Sequence, residues 1–194
     1  MPWKPVPTGT GAWWLPQNVT ADRYYFDQTF AQAIVNLTRR HAHRSLLDVG
    51  AGVGKYVHFY RNQGIEAYGI DGLNYAHERS GGLVEQIDLT GDVDWCRAFD
   101  IIACMEVLEH IPREYEARVI QRLVCSAKHR LVISWAGPKQ TGNGHVNLRN
   151  TSYVRATFFQ QGWHEEESTT LQLRRDSSLP WYRSNVIVFV KQSS

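Results

Sequence analysis

The sequence predicts an α/β fold with a doubly wound, mostly parallel sheet of seven strands, helices on both faces and an antiparallel C-terminal hairpin. Apolar runs that suit buried strands alternate with amphipathic segments that suit helices. The run 99–105 is apolar at nearly every position, which is typical of a parallel strand covered on both faces. The last two strands, 163–173 and 184–191, have no helical pattern between them, so we expect them to pair antiparallel.

The helices are predicted from the spacing of apolar residues. They cover residues 21–42, 54–63, 113–127 and 151–161, with a short helix or turn after Asp71-Gly72. The first helix has a row of large apolar residues on one face: Phe26, Phe30, Ile34 and Leu37. Gly64 is expected to end the second helix in a left-handed conformation.

The remaining strands are short apolar runs that end at turn residues. They are predicted at residues 45–49, 66–70, 83–87, 99–105 and 130–135, each followed by a loop or a helix. A polar loop, 136–150, follows the fifth of these strands. Because the strands run parallel, their carboxyl ends should lie at one edge of the sheet, where ligands bind in folds of this kind.

Length and charge limit the class of protein. A chain of 194 residues is long enough for one domain with a full core. The net charge is +2 and the basic residues are scattered, so we expect no nucleic-acid partner. No apolar run approaches the ~18 residues that a membrane span needs, and the N-terminus lacks a signal-peptide core. We therefore expect a cytoplasmic protein without a membrane partner.

The cysteines carry no metal-binding or redox motif. Cys96, Cys104 and Cys125 lie in or beside apolar runs without Cys-x-x-Cys spacing, so reduced, buried thiols are expected. No metal site is predicted from the sequence.

The chain divides into an aromatic-rich N-terminal arm and helix, residues 1–43, and a core, residues 44–194. The arm is a candidate lid over a binding pocket, since aromatic faces can stack on a ligand or contact a positive charge. A strap over an apolar surface and a homodimer contact are the alternatives. The aromatic residues that could form an acceptor pocket are Trp13, Trp14, Tyr24, Tyr25 and Trp135, although core packing explains Trp135 equally well.

The most informative segment is a glycine turn after the first core strand. Gly50, Gly52 and Gly54 stand at every second position between an apolar strand and an amphipathic helix. Glycine allows the backbone to adopt positive φ and to approach a ligand closely. Dinucleotide-binding turns usually place the third glycine one position later, where this chain has Lys55. Asp71, at the end of the second strand, is placed to accept hydrogen bonds from ribose hydroxyls.

In their order along the chain, these motifs resemble those of the class I S-adenosylmethionine-dependent methyltransferases of the small, single-domain type. The resemblance runs from about residue 44 to the C-terminus and rests on segments 46–54, 69–72, 86–89 and 99–112. It implies S-adenosyl-L-methionine as the cofactor and S-adenosyl-L-homocysteine as the product. The residues implied to bind the cofactor are Asp48, Gly50, Gly52, Gly54, Asp71, Gly72, Asp88, Leu89, Met105, Glu106 and Leu108. Within this set, Asp88 is implied to accept a hydrogen bond from the adenine amino group, and a role as a turn or helix cap is the alternative.

Two histidines are candidates for catalysis. His110 follows the fourth strand, and His145 lies in the loop after the fifth strand. Either one is a candidate general base for an acceptor that loses a proton, and either one could instead fix local structure. Methyl transfer by in-line attack on the sulfonium methyl needs mainly alignment of the acceptor.

The resemblance and the small size predict a methyltransferase acting on a small-molecule or sugar-containing acceptor. A catalytically silent methyltransferase-like subunit and a peptide or protein methyltransferase are the alternatives, and a homodimer is compatible with the sequence.

Overall fold

The computed structural model describes residues 6–7, 9–14 and 25–191, and all statements below refer to these residues. The helices are α1 (Gln28–Arg40), α2 (Lys55–Asn62), α3 (Ala76–Arg79), α4 (Arg113–Ser126), α5 (Thr151–Gln160), α6 (Glu167–Asp176) and α7 (Pro180–Asn185). The strands are β1 (Val6–Pro7), β2 (Trp13–Trp14), β3 (Ser45–Val49), β4 (Glu66–Asp71), β5 (Val84–Gln86), β6 (Phe99–Met105), β7 (Ala127–Ser134), β8 (Trp163–Glu165) and β9 (Ile187–Lys191).

The main sheet has seven strands in the order β5-β4-β3-β6-β7-β9-β8. Strands β3 to β7 pair in parallel, whereas β9 pairs antiparallel with β7 and β8 pairs antiparallel with β9. The strand order reverses between β3 and β6, where chain connections leave in opposite directions. This topological switch point opens a crevice beyond the carboxyl ends of the strands. The predicted fold class is confirmed.

Helices cover both faces of the sheet. Neighbouring residues of β3 belong to different core clusters, Leu46 to one and Leu47 to the other, because successive strand side chains point to opposite faces. The first cluster includes Phe30 of α1 and the second includes Leu123 of α4. Both clusters consist of buried apolar side chains, as the continuous apolar runs of the middle strands predict.

The prediction of a C-terminal hairpin is wrong in one respect. The strands β8 and β9 do pair antiparallel, but α6 and α7 lie between them, and the predicted strand 163–173 ends at Glu165. Thr169, Thr170 and Leu173 are buried. This spacing is that of one helix face rather than of a strand, in which every second residue would be buried.

The first helix is also shorter than predicted. It begins at Gln28 after Asp27, whose side chain accepts a hydrogen bond from the backbone N–H of Phe30 and so caps the helix. Residues 15–24, at the predicted start of this helix, lie outside the described residues. Gly64 has φ 81° after α2, so the predicted left-handed helix end is confirmed. None of the helices in the described part of the chain is long and apolar enough to span a membrane.

Two of the three cysteines form a disulfide, contrary to the prediction of reduced thiols. Cys96 and Cys125 have their sulfur atoms 1.90 Å apart and their Cα atoms 6.0 Å apart. Both residues are exposed, whereas Cys104 is a buried free thiol, as predicted. The two cysteines are 29 residues apart in the sequence, and the end of α4 lies beside the segment before β6 only in the folded chain. The pairing could therefore not be predicted from local spacing.

Candidate active site

A cavity of about 660 Å³ lies at the switch point. Residues at the ends of β3, β4 and β6 form its floor, and segment 10–13 and loop 140–145 form its sides. The predicted site residues that line it are Trp13, Tyr25, Asp48, Gly50, Asp71, Gly72, Asp88, Leu89, Met105, Glu106, His110 and His145. The structure therefore brings together most of the predicted cofactor-binding residues, two of the aromatic residues and both histidines.

Four predicted site residues do not line this cavity. Gly54 is the N-cap of α2, and Gly52 acts through a hydrogen bond described below. Leu108 is completely buried in the core. Trp135 is 1% exposed, and its indole N–H donates to the carbonyl oxygen of Asn147 at 2.7 Å, so it packs in the core instead of walling an acceptor pocket. Tyr24 and the side chain of Trp14 lie outside the described residues.

The glycine turn after β3 has the backbone that its sequence predicts. Gly50, Gly52 and Gly54 have φ of 81°, 56° and 78°. A Cβ atom at Gly50 would lie 2.2 Å from Cγ2 of Val107, so the turn is packed against the segment after β6 as well as left-handed. Glycine is therefore required at Gly50 for two independent reasons.

Asp71 connects the glycine turn to the end of β4. Its carboxylate accepts hydrogen bonds from the backbone N–H of Gly52 and of Leu73, both at 2.6 Å. Burial raises the pKa of Asp71, and these two hydrogen bonds act in the opposite direction. Each carboxylate oxygen can accept a further hydrogen bond from a ligand in the cavity.

Asp48 is a second carboxylate at the same edge. It is 5% exposed, and its Oδ2 has no hydrogen-bond partner among the described residues. Burial, together with the charge of Asp71, raises the pKa of Asp48 to about 7. A buried oxygen without a partner at a cavity wall is suited to receive a donor or a cation from a ligand.

The other predicted acidic residue on this side, Asp88, closes a local turn. Its Oδ1 accepts from both the backbone N–H and the hydroxyl of Thr90, at 2.9 and 2.8 Å. The alternative role as a cap is therefore present in the structure. Because Asp88 also lines the cavity beside Leu89, the turn does not exclude contact with a ligand.

Glu106 holds the loop after β7 against the end of β6. Its carboxylate accepts from the hydroxyl of Ser134 at 2.8 Å and from the side-chain amide of Gln140. Gln140 in turn accepts from the side chain of Asn185 at 2.6 Å. Glu106 has φ 56°, a conformation that is unusual for a residue other than glycine and that clusters at functional sites.

The rings of the two candidate histidines are in edge-on contact at the cavity wall, with centroids 5.0 Å apart. The Nδ1 atoms of His110 and His145 lie 3.0 Å from the carbonyl oxygens of Gly144 and Gln140 respectively. Because a carbonyl oxygen only accepts, each Nδ1 carries a hydrogen, and Nε2 is the ring nitrogen left to contact a ligand. Burial lowers the pKa of His110 to about 4, so its ring is neutral near pH 7.

Glu109 is a site residue that the sequence analysis missed. Its side chain is completely buried, it lines the cavity, and its Oε1 lies 4.0 Å from Nε2 of His145. Burial, together with the charge of Glu106, raises the pKa of Glu109 well above its usual range. A signal was present, because Glu109 stands in the fourth-strand motif directly before His110.

The N-terminal segment 9–14 lies across this edge of the sheet. Gly11 packs so closely on His110 that a Cβ would lie 2.2 Å from its carbonyl oxygen. The Trp13 ring contacts the His110 ring edge-on at 5.1 Å, and the Trp13 carbonyl accepts from the backbone N–H of Asn74 at 3.4 Å. The segment therefore forms one wall of the cavity, beside the carboxyl ends of the strands that carry the predicted motifs.

The fold and this cavity define a class I methyltransferase architecture, and comparison with known proteins identifies the family. The family model described as "Methyltransferase domain" matches residues 22–134, more than half of the chain. The chain belongs to this methyltransferase family, which confirms the resemblance and the enzyme class predicted from the motifs. A search of curated proteins finds no significant match.

Solved structures confirm the fold. The sugar N-methyltransferase from Streptoalloteichus is 18% identical with a TM-score of 0.67, covering 86% of this chain and 88% of that one. The magnesium protoporphyrin IX methyltransferase from Synechocystis, with bound S-adenosylhomocysteine, is 18% identical with a TM-score of 0.64, covering 85% and 83%. An amino pentose methyltransferase from Micromonospora echinaspora, with bound S-adenosylmethionine, is 14% identical with a TM-score of 0.63, covering 84% and 90%.

Proposed function

We propose that this methyltransferase transfers the methyl group of S-adenosylmethionine to a small-molecule or sugar-containing acceptor held in the cavity. The observation that carries the proposal is that two sets of elements line the cavity, which we name the donor half and the acceptor half. Asp48, Asp71 and the glycine turn, at the ends of β3 and β4, form the donor half, and His110 and His145, in the segments after β6 and β7, form the acceptor half.

The first half fits the methyl donor. The unpartnered Oδ2 of Asp48 suits the ammonium group of its methionine part, and the remaining lone pairs of Asp71 suit the ribose hydroxyls. The Gly50 backbone and the apolar side chain of Leu89 complete this side. When bound, S-adenosylmethionine supplies a methyl group that its sulfonium charge makes electrophilic.

The second half fits the acceptor. His145 and His110 offer Nε2 lone pairs that can accept a proton or a hydrogen bond from the acceptor. Because Nδ1 of each ring is bound to a backbone carbonyl, the orientation of the ring is fixed before the acceptor arrives. Positioning of this kind supplies up to ~7–11 kcal/mol of barrier reduction without a covalent step.

The size of the cavity favours a small acceptor. A cavity of about 660 Å³ has to hold donor and acceptor together, and small-molecule sites commonly measure ~300–1,000 Å³. Two similar structures support this class, because their names describe a sugar N-methyltransferase and an amino pentose methyltransferase.

We also propose that segment 9–14 acts as a lid. Trp13 and Gly11 contact His110 and cover the acceptor half, which would exclude water once both ligands are bound. The division into an arm, 1–43, and a core, 44–194, a homodimer and a cytoplasmic location remain predictions.

Ligand-dependent thermal melting tests the donor half. S-Adenosylhomocysteine at ~100 times its dissociation constant should add ~2.7 kcal/mol of stability. The Asp71→Ala variant should lose most of this gain. Glu85→Gln, an exposed carboxylate on the neighbouring β5, is the matched control and should keep it. If S-adenosylhomocysteine does not stabilise the unmodified chain, the proposal is wrong and the alternative of a catalytically silent subunit is favoured.

A methyl-donor consumption screen over pooled metabolites, sugars and peptides tests the acceptor half. We expect turnover with a small hydroxyl- or amine-bearing acceptor, and a lower rate in His145→Ala and His110→Ala. Turnover with peptides alone would favour the alternative of a peptide methyltransferase. Equal turnover in both histidine variants and the unmodified chain would show that neither imidazole serves the reaction.

A further inference from the structure

Three side chains with metal-ligating atoms lie together in the acceptor half of the cavity. Glu109, His110 and His145 each present one ligand atom, and all three atoms lie within 4.8 Å of one another. The backbone N–H groups of Val146 and Asn147 both donate to the carbonyl oxygen of Glu109 at 2.9 Å. These bonds fasten the loop after β7 to the segment after β6, so the arrangement of the three side chains is built into the fold.

The carboxylate of Glu109 needs a partner that the described residues do not supply. It is completely buried, and neither of its oxygens has a hydrogen-bond partner among the described residues. Buried polar groups normally have a partner, and a metal ion is one partner that a buried carboxylate can bind. Nε2 of His145 lies 4.0 Å from Oε1 of Glu109, beyond hydrogen-bond distance.

The histidines are oriented as metal ligands usually are. Each Nδ1 donates to a backbone carbonyl, of Gly144 for His110 and of Gln140 for His145, which leaves Nε2 free to bind a metal ion. Ligating histidines almost always donate their other N–H to a carbonyl, carboxylate or water in this way. Gly142 makes room for the His145 ring, since a Cβ there would lie 2.1 Å from Nε2.

We propose that Glu109, His110 and His145 bind one divalent metal ion, of the Zn²⁺, Mn²⁺ or Co²⁺ type, in the acceptor half of the cavity. Two imidazole nitrogens and one carboxylate form a ligand set for such ions. Bonds of about 2.0–2.2 Å place the ligands of one ion within about 4 Å of each other, so the three groups need only small rotations. The remaining coordination positions face the cavity, and there an oxygen or nitrogen of the acceptor can bind.

The proposed metal site rests on the proposed function in one point, namely that this part of the cavity binds the acceptor. The test starts from the full chain without a histidine tag, dialysed against a chelator and titrated calorimetrically with Zn²⁺ and with Mn²⁺. We expect one ion per chain, and a visible absorption spectrum of a bound ion when Co²⁺ is added. His110→Ala, His145→Ala and Glu109→Gln should each weaken binding by more than about tenfold.

Controls separate this site from the other histidines. His129→Ala removes an exposed imidazole from the cluster of His41, His43 and His129. This cluster lies near the amino-terminal ends of β3 and β7, at the edge of the sheet opposite the cavity, so the variant should leave binding unchanged. Glu109→Gln keeps the size of the buried side chain, so the metal-free variant should melt no earlier than the unmodified chain, which shows that it folds. Loss of metal binding in His129→Ala, or its retention in His145→Ala and Glu109→Gln, overturns the proposal.

Metal binding is measured without S-adenosylmethionine, so the two proposals fail separately. No heat and no Co²⁺ spectrum, with an intact S-adenosylhomocysteine melting shift, would overturn the metal site alone. Stoichiometric metal binding without any melting shift from S-adenosylhomocysteine would support the metal site and overturn the proposed donor half.

Discussion

The backbone N–H of Gly52 donates to the carboxylate of Asp71 at 2.6 Å. This bond joins the glycine turn after β3 to the end of β4, two motifs that the sequence presents as separate. Gly52 does not line the cavity, but its amide positions the carboxylate of Asp71, which does. The proposed donor half therefore depends on the conformation of the turn as well as on its lack of side chains.

Substitution of glycine in this turn should cost more than substitution of a left-handed glycine elsewhere. Gly64→Ala introduces a methyl group at φ 81° with no atom of the described residues within 4 Å, and should cost about 1–2 kcal/mol of stability. Gly50→Ala has the same φ of 81° and also places its Cβ 2.2 Å from Val107. It should therefore cost at least about 1 kcal/mol more. Urea unfolding of both variants measures the difference; equal losses would contradict the steric argument.

The stability of the chain should depend on pH through Asp27. Its Oδ2 accepts hydrogen bonds from the hydroxyl of Ser177 and from the backbone N–H of Ser178, both at 2.7 Å. Burial raises the pKa of Asp27, but the hydrogen bonds lower it to about 2 from an ordinary 3.8. Because the folded-state pKa is lowered, the stabilisation is complete above pH ~4 and is lost as the pH falls towards 2.

Asp27→Asn should therefore lose about 2 kcal/mol near pH 7, and the gap to the unmodified chain should narrow below pH 4. Chemical unfolding at pH 7 and pH 3 measures this gap. Asp92→Asn alters an exposed carboxylate and is the control, since its side chain is 99% exposed. A gap for Asp27→Asn that is constant with pH would show that the hydrogen bonds do not favour the ionised form.

Glu116 of α4 should control the mobility of the loop that carries His145. Its carboxylate accepts from the side chains of Asn147 and Arg149, both at 2.8 Å, and from the hydroxyl of Tyr153. Glu116→Ala leaves these donors without their acceptor and should cost about 3 kcal/mol. Amide hydrogen exchange in residues 142–148 should become faster.

Glu114→Ala, on the exposed face of the same helix, should change neither quantity. The melting shift from S-adenosylhomocysteine should survive Glu116→Ala, because the donor half lies at the ends of other strands. Unchanged exchange in the loop would show that its conformation is held from elsewhere.

Reduction should destabilise the chain through the disulfide between Cys96 and Cys125. The bond closes a loop over a sequence separation of 29 residues, and the entropy of such a loop corresponds to about 3–4 kcal/mol. A reducing agent should lower the melting temperature of the unmodified chain and leave that of the double variant Cys96→Ser/Cys125→Ser unchanged. Alkylation of the unreduced, denatured chain should modify Cys104 alone; labelling of all three cysteines would contradict the disulfide.

Much of the fold could be predicted from the sequence because its signals are local. The parallel strands, the glycine turn and the left-handed end of α2 follow from apolar runs and from glycines at defined positions. The connection between β8 and β9 could not be predicted in the same way. Thr169, Thr170 and Leu173 form a buried face only because α6 packs against α1 and β9.

The candidate site shows the same division. Asp48, Gly50 and Asp71 were predicted from the motifs because each stands at the carboxyl end of a parallel strand, and the sheet brings such ends together. For Trp135, the sequence leaves an acceptor-pocket wall and core packing equally open, and the hydrogen bond from its indole N–H to a buried carbonyl decides for core packing. The direction of a side chain depends on such local partners, which position alone does not reveal.

The sequence by itself determined the family, the class of fold and the edge of the sheet that carries the proposed donor half, since these depend on residue types at short, regular spacing. Only the tertiary structure decided that Glu109 lies beside His145, that Cys96 is bonded to Cys125 and that segment 9–14 packs on His110. Each of these contacts joins residues far apart along the chain. Their proximity follows from strand order and loop anchoring, which no local pattern of residues encodes.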